Sequence, residues 1–218
     1  MGWHPVYLDP SPRQQRKHAL AAELRLLIND VLMLDAEQAD EAALAEAEDR
    51  VALARKAFES MPDIRSGGGP HYHLTDESLF ERSPLTGLSN ALAAPLTLEF
   101  DGTTTRGHAT YPSHYEGPPG LVHGGYVISA FDDLLGVAQA ASGVAGFTGT
   151  LSVRLIAGTP LNTRIDYQAS VVGHEGRKVI ARGTAHCDGV LLAEAEGIFI
   201  EPRGGHPGAI IRERLQES

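Results

Sequence analysis

Three regimes of hydrophobic spacing follow one another along the chain. In the first, Leu20, Leu24, Leu27 and Val31 recur at three- and four-residue intervals, drawing one apolar stripe with the period of an α-helix. Ser11-Pro12-Arg13-Gln14 opens that helix, with Ser11 as N-cap, Pro12 at the first helical position and Gln14 closing a capping box. Asp35 and Gln38 repeat the cap pattern ahead of a second stripe, Ala43, Ala47, Val51, Ala54 and Phe58, which Met61-Pro62 ends. Two consecutive helices with a short joint predict an antiparallel hairpin over residues 1–62. Its second stripe is mostly alanine and buries little by itself, so the hairpin is expected to lean on the core or on a second subunit.

Residues 63–93 lose periodicity and gain turn formers, Gly67-Gly68-Gly69-Pro70 among them, which predicts a connecting segment. His71-x-His73 lies inside it. Two histidines are an incomplete ligand set, so no metal site is expected. From Pro95 the period becomes two. Leu96, Leu98 and Phe100 alternate, Asp101-Gly102 is a hairpin turn, and a partner strand runs to about Thr110.

The segment from Val122 to Ala141 returns to helical spacing with two apolar series, Tyr126, Ala130, Leu134, Ala138 and Val127, Phe131, Leu135. Such a helix is buried over most of its circumference. Alternating runs follow: Leu151 to Leu155, Ile165 to Val171, Val179 to Cys187, and Leu191 to Ile200 after an Asp188-Gly189 turn. Val179, Ala181, Gly183, Ala185 and Cys187 are small enough to let a helix lie close. One apolar helix beside one antiparallel sheet is an α+β architecture in which the sheet wraps the helix. It is expected over residues 94–203, with 204–218 as a tail.

The chain has 218 residues, 42% of them hydrophobic and 21% charged, enough for a packed core. Its 28 acidic and 18 basic side chains leave a net charge of -10, which argues against nucleic-acid partners and anionic membranes. A single cysteine, Cys187, fits a reducing, cytoplasmic setting, and the first residues carry no apolar run of signal-peptide length. Asp132 and Asp133 interrupt the best apolar stretch, so no membrane span is expected.

Those two carboxylates are also the first chemical signal. A buried, unpaired carboxylate costs several kcal/mol or is pushed toward its neutral form, so at least one needs a partner or a task. The second signal is the helix entrance, where Gly124 and Gly125 leave backbone N–H groups uncovered at the positive end of the helix dipole. That is a place for a carbonyl oxygen that becomes an anion.

Gly120-Leu121-Val122-His123-Gly124-Gly125, with Asp132 nine positions after the histidine and Thr148 sixteen after Asp132, resembles the hotdog-fold acyl-CoA thioesterases, in particular the phenylacetyl-CoA thioesterase branch. The likeness spans about residues 96–202. It implies a hotdog fold and homodimers, which could stack into tetramers, with active sites at the dimer interface. It also implies a Gly125 N–H polarising the thioester carbonyl, Asp132 as base or nucleophile, and Thr148 orienting water or substrate. His123 would set the loop by hydrogen bonding. Tyr126, Arg177 and Lys178 are the expected substrate contacts, with an acyl-CoA thioester as substrate and no further cofactor. Asp133 remains an alternative to Asp132. A non-catalytic module that binds or senses acyl-CoA on the same fold is the competing reading. Gly125 and Asp132 are separated by roughly 10 Å along a helix rising 1.5 Å per residue, which favours a site shared between two chains.

Overall fold

The computed structural model describes residues 10–62, 81–94, 96–143 and 146–203. His71-x-His73 and the tail lie outside them. Helices α1 (Pro12–Met33) and α2 (Glu41–Phe58) come first, followed by strands β1 (Thr97–Phe100) and β2 (Thr105–Thr110) and a short 3-10 turn at Ser113–Tyr115. Helix α3 (Gly124–Ala141) then precedes β3 (Phe147–Leu155), β4 (Arg164–Glu175), β5 (Lys178–Cys187) and β6 (Val190–Ile200). The strands form one antiparallel sheet in the order β1-β2-β4-β5-β6-β3, so β1 and β3 are its edges. This is the hotdog architecture: one sheet wrapped around one long helix.

The core is α3 against the inner face of that sheet. Phe131, Leu134 and Leu135 are completely buried, and Phe131 meets Tyr167 edge to face with ring centres 5.7 Å apart. Val179, Ala181, Gly183, Ala185 and Cys187 all point inward as β5 crosses the helix. At Gly183 the approach is close, since an added Cβ would lie 3.3 Å from both Leu134 Cδ2 and Ala169 Cβ. The buried tyrosine hydroxyls pair: those of Tyr111 and Tyr167 are 2.9 Å apart, and that of Tyr115 donates to the Ala93 carbonyl at 2.8 Å.

The N-terminal helices differ from expectation in two respects. The α1 capping box is present as read, with Ser11 and Gln14 exchanging bonds. The second helix, however, is capped by Asp40 and not by Asp35, whose carboxylate and carbonyl instead organise the preceding turn. Four residues between the two aspartates are thereby spent in the joint.

The second difference concerns orientation. The face of α1 turned to the rest of the chain carries Gln14, His18, Ala21, Arg25, Ile28 and Asn29, while the Leu20, Leu24, Leu27 and Val31 stripe points outward. Polar contacts hold the helix. His18 Nε2 lies 2.9 Å from Glu81 Oε1, and the Arg25 guanidinium donates to the Leu88 and Asn90 carbonyls. In α2 no residue is buried.

Candidate active site

The approach to α3 is pinned on both sides. Gly120 takes a left-handed φ of 76°, and its N–H donates to Glu116 Oε1 at 2.7 Å, closing the turn around Pro118-Pro119. The Val122 N–H reaches the Thr159 carbonyl and the His123 N–H reaches the Tyr115 carbonyl, both at 2.8 Å. The helix therefore starts at a fixed place on the sheet rim.

His123 is the N-cap of α3. Its Nδ1 accepts the Gly125 N–H at 3.0 Å, which requires the ring proton to sit on Nε2. The expected oxyanion donor is thus covered by the imidazole in the free protomer. Both residues are exposed, and the cap is a side chain that can rotate away. Gly124 adjoins the end of β3, where an added Cβ would come within 3.0 Å of Leu155 Cδ1. Tyr126 packs edge to face on Tyr115 with ring centres 4.7 Å apart, forming one wall of the helix entrance.

Two turns further along α3, Asp132 Oδ1 accepts a hydrogen bond from Thr148 Oγ1 at 3.0 Å. Thr148 belongs to β3, whose other side has no neighbouring strand among the described residues. Seven residues are almost two whole helical turns, so Gly125 and Asp132 share one face of α3. Ile128, Ser129 and Gly136 lie on it too, and this stripe is the part of α3 that the sheet leaves uncovered. Space beside Gly136 is open, with nothing within 4 Å of an added Cβ. Ser129, which the sequence reading did not single out, donates from Oγ to the Gly125 carbonyl at 2.7 Å and braces the first turn.

Asp133, about 100° further round the helix, faces a different neighbour. Its Oδ2 accepts from Ser83 Oγ at 3.0 Å and from Thr86 Oγ1 at 3.4 Å, which ties α3 to the segment before β1. Burial raises its pKa to about 6; the Asp132 charge adds to the rise, and the Ser83 and Thr86 hydroxyls oppose it. The two partners are fifty and forty-seven residues away in sequence, and no local pattern around Asp133 signals them. Of the adjacent pair, only Asp132 opens onto the β3 edge.

Arg177 and Lys178 sit at the β4–β5 turn. Lys178 and Phe147 both pair with Ile200, which puts the two cations at the Thr148 end of the sheet. Arg177 is exposed and donates to the Glu201 carbonyl at 3.0 Å. The structure thus brings His123, Gly124, Gly125 and Tyr126 together at one place, and Asp132 and Thr148 at a second, with Arg177 and Lys178 beyond the latter. Arg154 and Arg182 lie on the outer face of the sheet, paired with Glu194 and Glu196 at 3.1 and 2.7 Å. Among the described residues, no cluster of three or more histidine, cysteine or acidic side chains could hold a metal ion, and no helix is long and apolar enough to cross a membrane.

No protein-family model and no curated protein sequence matches the chain. Solved structures do. A thioesterase superfamily protein is 30% identical, with a TM-score of 0.74, covering 88% of this chain and 92% of its own. Zebra fish thioesterase superfamily member 2 is 15% identical with a TM-score of 0.49, covering 56% of this chain and 91% of its own. The E. coli PaaI protein from the phenylacetic acid degradation operon is 13% identical with a TM-score of 0.48, covering 52% and 83%. The first likeness takes in most of both chains. With a glycine-opened, buried helix, a carboxylate at the sheet edge and that relative, the chain belongs to the thioesterase superfamily.

Proposed function

We propose that the protein hydrolyses an acyl-CoA thioester, in a site completed by a second copy of the chain along the free edge of β3. The observation that carries this reading is the Thr148–Asp132 hydrogen bond, which holds a carboxylate at an unpaired strand edge. An antiparallel pairing of β3 with its copy, centred near Leu151 and Ser152, sets position 148 of one chain against position 155 of the other. Gly124 adjoins Leu155, so the partner subunit's Asp132 arrives at the helix start of this chain. The roughly 10 Å that separates glycine from carboxylate within one helix is then bridged without moving the helix.

In this site the thioester carbonyl oxygen displaces the His123 ring from the Gly125 N–H and takes that hydrogen bond. Asp132 removes a proton from water as its oxygen bonds to the carbonyl carbon. The oxyanion is held by Gly125 and the positive end of α3. Collapse breaks the carbon–sulfur bond, and the proton on Asp132 goes to the departing thiolate, leaving a carboxylic acid and free coenzyme A. Thr148 fixes the carboxylate rotamer. Tyr126 lines the acyl side, while Arg177 and Lys178 meet coenzyme A phosphates. A cytoplasmic homodimer belongs to the same reading, and the one cysteine, Cys187, is free and buried.

A hydrolysis screen over aromatic, short and long acyl-CoA thioesters, read by release of free thiol, tests the proposal. At least one class should be turned over, and the Asp132→Asn chain should not turn it over. The covered Gly125 N–H favours a second reading, an acyl-CoA binding module without turnover. Tight binding with no thiol released from any thioester would select it.

A further inference from the structure

We infer that the N-terminal helices are an assembly arm, and that the arms of two copies of this chain pair into a four-helix bundle. The starting observation is exposure. Leu20, Leu24, Leu27, Val31 and Leu34 on α1 and its end, and Val51, Phe58 and Met61 on or after α2, are 37 to 61% exposed. Together they present on the order of 700 Å² of apolar-residue surface, close to the roughly 800 Å² per partner in a standard stable interface. Single chains rarely leave a patch above a few hundred Å² uncovered.

The spacing of these residues identifies what covers them. Positions 20, 24, 27, 31 and 34 advance by four, three, four and three, and so do positions 47, 51, 54, 58 and 61. A 3.5-residue average is the seam of helices packed nearly parallel to one another, not the wider stripe of a helix lying on a sheet. The other side of α1 is already committed, through His18 to Glu81 and Arg25 to the Leu88 and Asn90 carbonyls, so the seam is held outward in a fixed direction. Two seams within one chain do not close each other, because every one of these side chains stays more than a third exposed. Two copies of the two-helix arm bring four such stripes together, which is the core of a four-helix bundle.

Charge selects a second copy over closure within one chain. Arg13, Arg16 and Lys17 start α1, whereas α2 is acidic in its first half (Glu41, Glu46, Glu48, Asp49) and ends on Arg55 and Lys56. Antiparallel pairing within one chain sets the basic start of α1 against the basic end of α2. A two-fold-related copy brings its α2 alongside α1 in the opposite sense, with acidic positions opposite Arg13, Arg16 and Lys17.

The test uses the full chain. Sedimentation over a concentration series should show that Leu20→Glu/Leu27→Glu/Val31→Glu lowers the mass of the assembly or raises its dissociation constant at least tenfold. These side chains are exposed in the protomer, so far-ultraviolet circular dichroism should stay unchanged. A second, milder variant, Leu24→Cys, should give an inter-chain product with a short bismaleimide. An unchanged mass and dissociation constant together with no inter-chain product would overturn the inference. So would efficient crosslinking of Leu24→Cys/Val51→Cys within single chains alone, which means the arm folds on itself, or a different protein found seated on the arm of a monomer. Thiol release measured on the same samples separates the two proposals: an intact assembly without hydrolysis leaves the arm standing and removes only the catalytic reading.

Discussion

Asp132 and Asp133 are neighbours in sequence and opposites in environment. Asp132 meets Thr148 at an open strand edge, whereas Asp133 is half-buried against Ser83 and Thr86. Asp132→Asn keeps an acceptor for Thr148 and removes the proposed base, so thiol release should fall at least 100-fold while the thermal transition stays within a degree or two of wild type. Asp133 makes a different prediction. Its folded pKa, about 6, lies above the ordinary 3.8, so the folded chain holds the proton more tightly than the unfolded chain does. Stability therefore declines as pH rises from about 4 through about 6, and levels off above that. Asp133→Asn mimics the protonated form. It should flatten that decline and gain up to about 3 kcal/mol at pH 8, read from denaturant midpoints across the range. A decline of the same size in Asp133→Asn would assign it to another group. That one of the two carboxylates needs a task could be read from the apolar run around them. Which one it is could not, because Ser83 and Thr86 lie beyond the reach of any local pattern. For His123 a loop-setting hydrogen bond was expected, but not that the ring would turn back onto the Gly125 N–H.

Among the elements, legibility follows how each one is held. Helix α3 and strands β4 to β6 were readable because their side chains meet one large apolar core, and apolar burial imposes a period on the sequence. Even the small residues of β5 were readable, and they carry a quantitative expectation. At Gly183 a Cβ would sit 3.0 Å from the Gln168 carbonyl oxygen, a backbone atom, and 3.3 Å from Leu134 Cδ2. Gly183→Val must therefore push α3 off the sheet, costing about 1–3 kcal/mol. Urea unfolding should show the midpoint falling with the slope unchanged, and an unshifted midpoint would mean the contact relaxes freely. Helix α1 was read in part only. Its period and capping box were plain, yet its apolar stripe faces away from the chain and its docking rests on His18, Glu81 and Arg25. Polar docking leaves no period to find. His18→Ala should accordingly loosen α1 from residues 81–94, visible as faster amide exchange in both, while β4 to β6 keep their protection.

At the scale of the whole molecule, one protomer carries both halves of the proposed catalytic arrangement at places that its own chain does not join. The glycine entrance adjoins Leu155 at one end of β3, and Asp132 is held by Thr148 at the other. If two chains complete each other along that strand edge, lesions in different halves should complement. Gly125→Pro deletes the N–H that stabilises the oxyanion, and Asp132→Asn deletes the base, so each homodimer should be inactive. In a mixed dimer with a shared site, one site receives both lesions and the other receives neither. Activity should return to about half of the wild-type value per dimer when the sites act independently. Proline is tolerated in the first helical turn, but each parent must first show a wild-type helical signal and association state. Heterodimers can be isolated with two different affinity tags and assayed at once for thiol release. If isolated heterodimers of well-folded parents stay as inactive as the parents, each site uses the Gly125 and Asp132 of a single chain. The reacting water would then have to span the roughly 10 Å between them along α3.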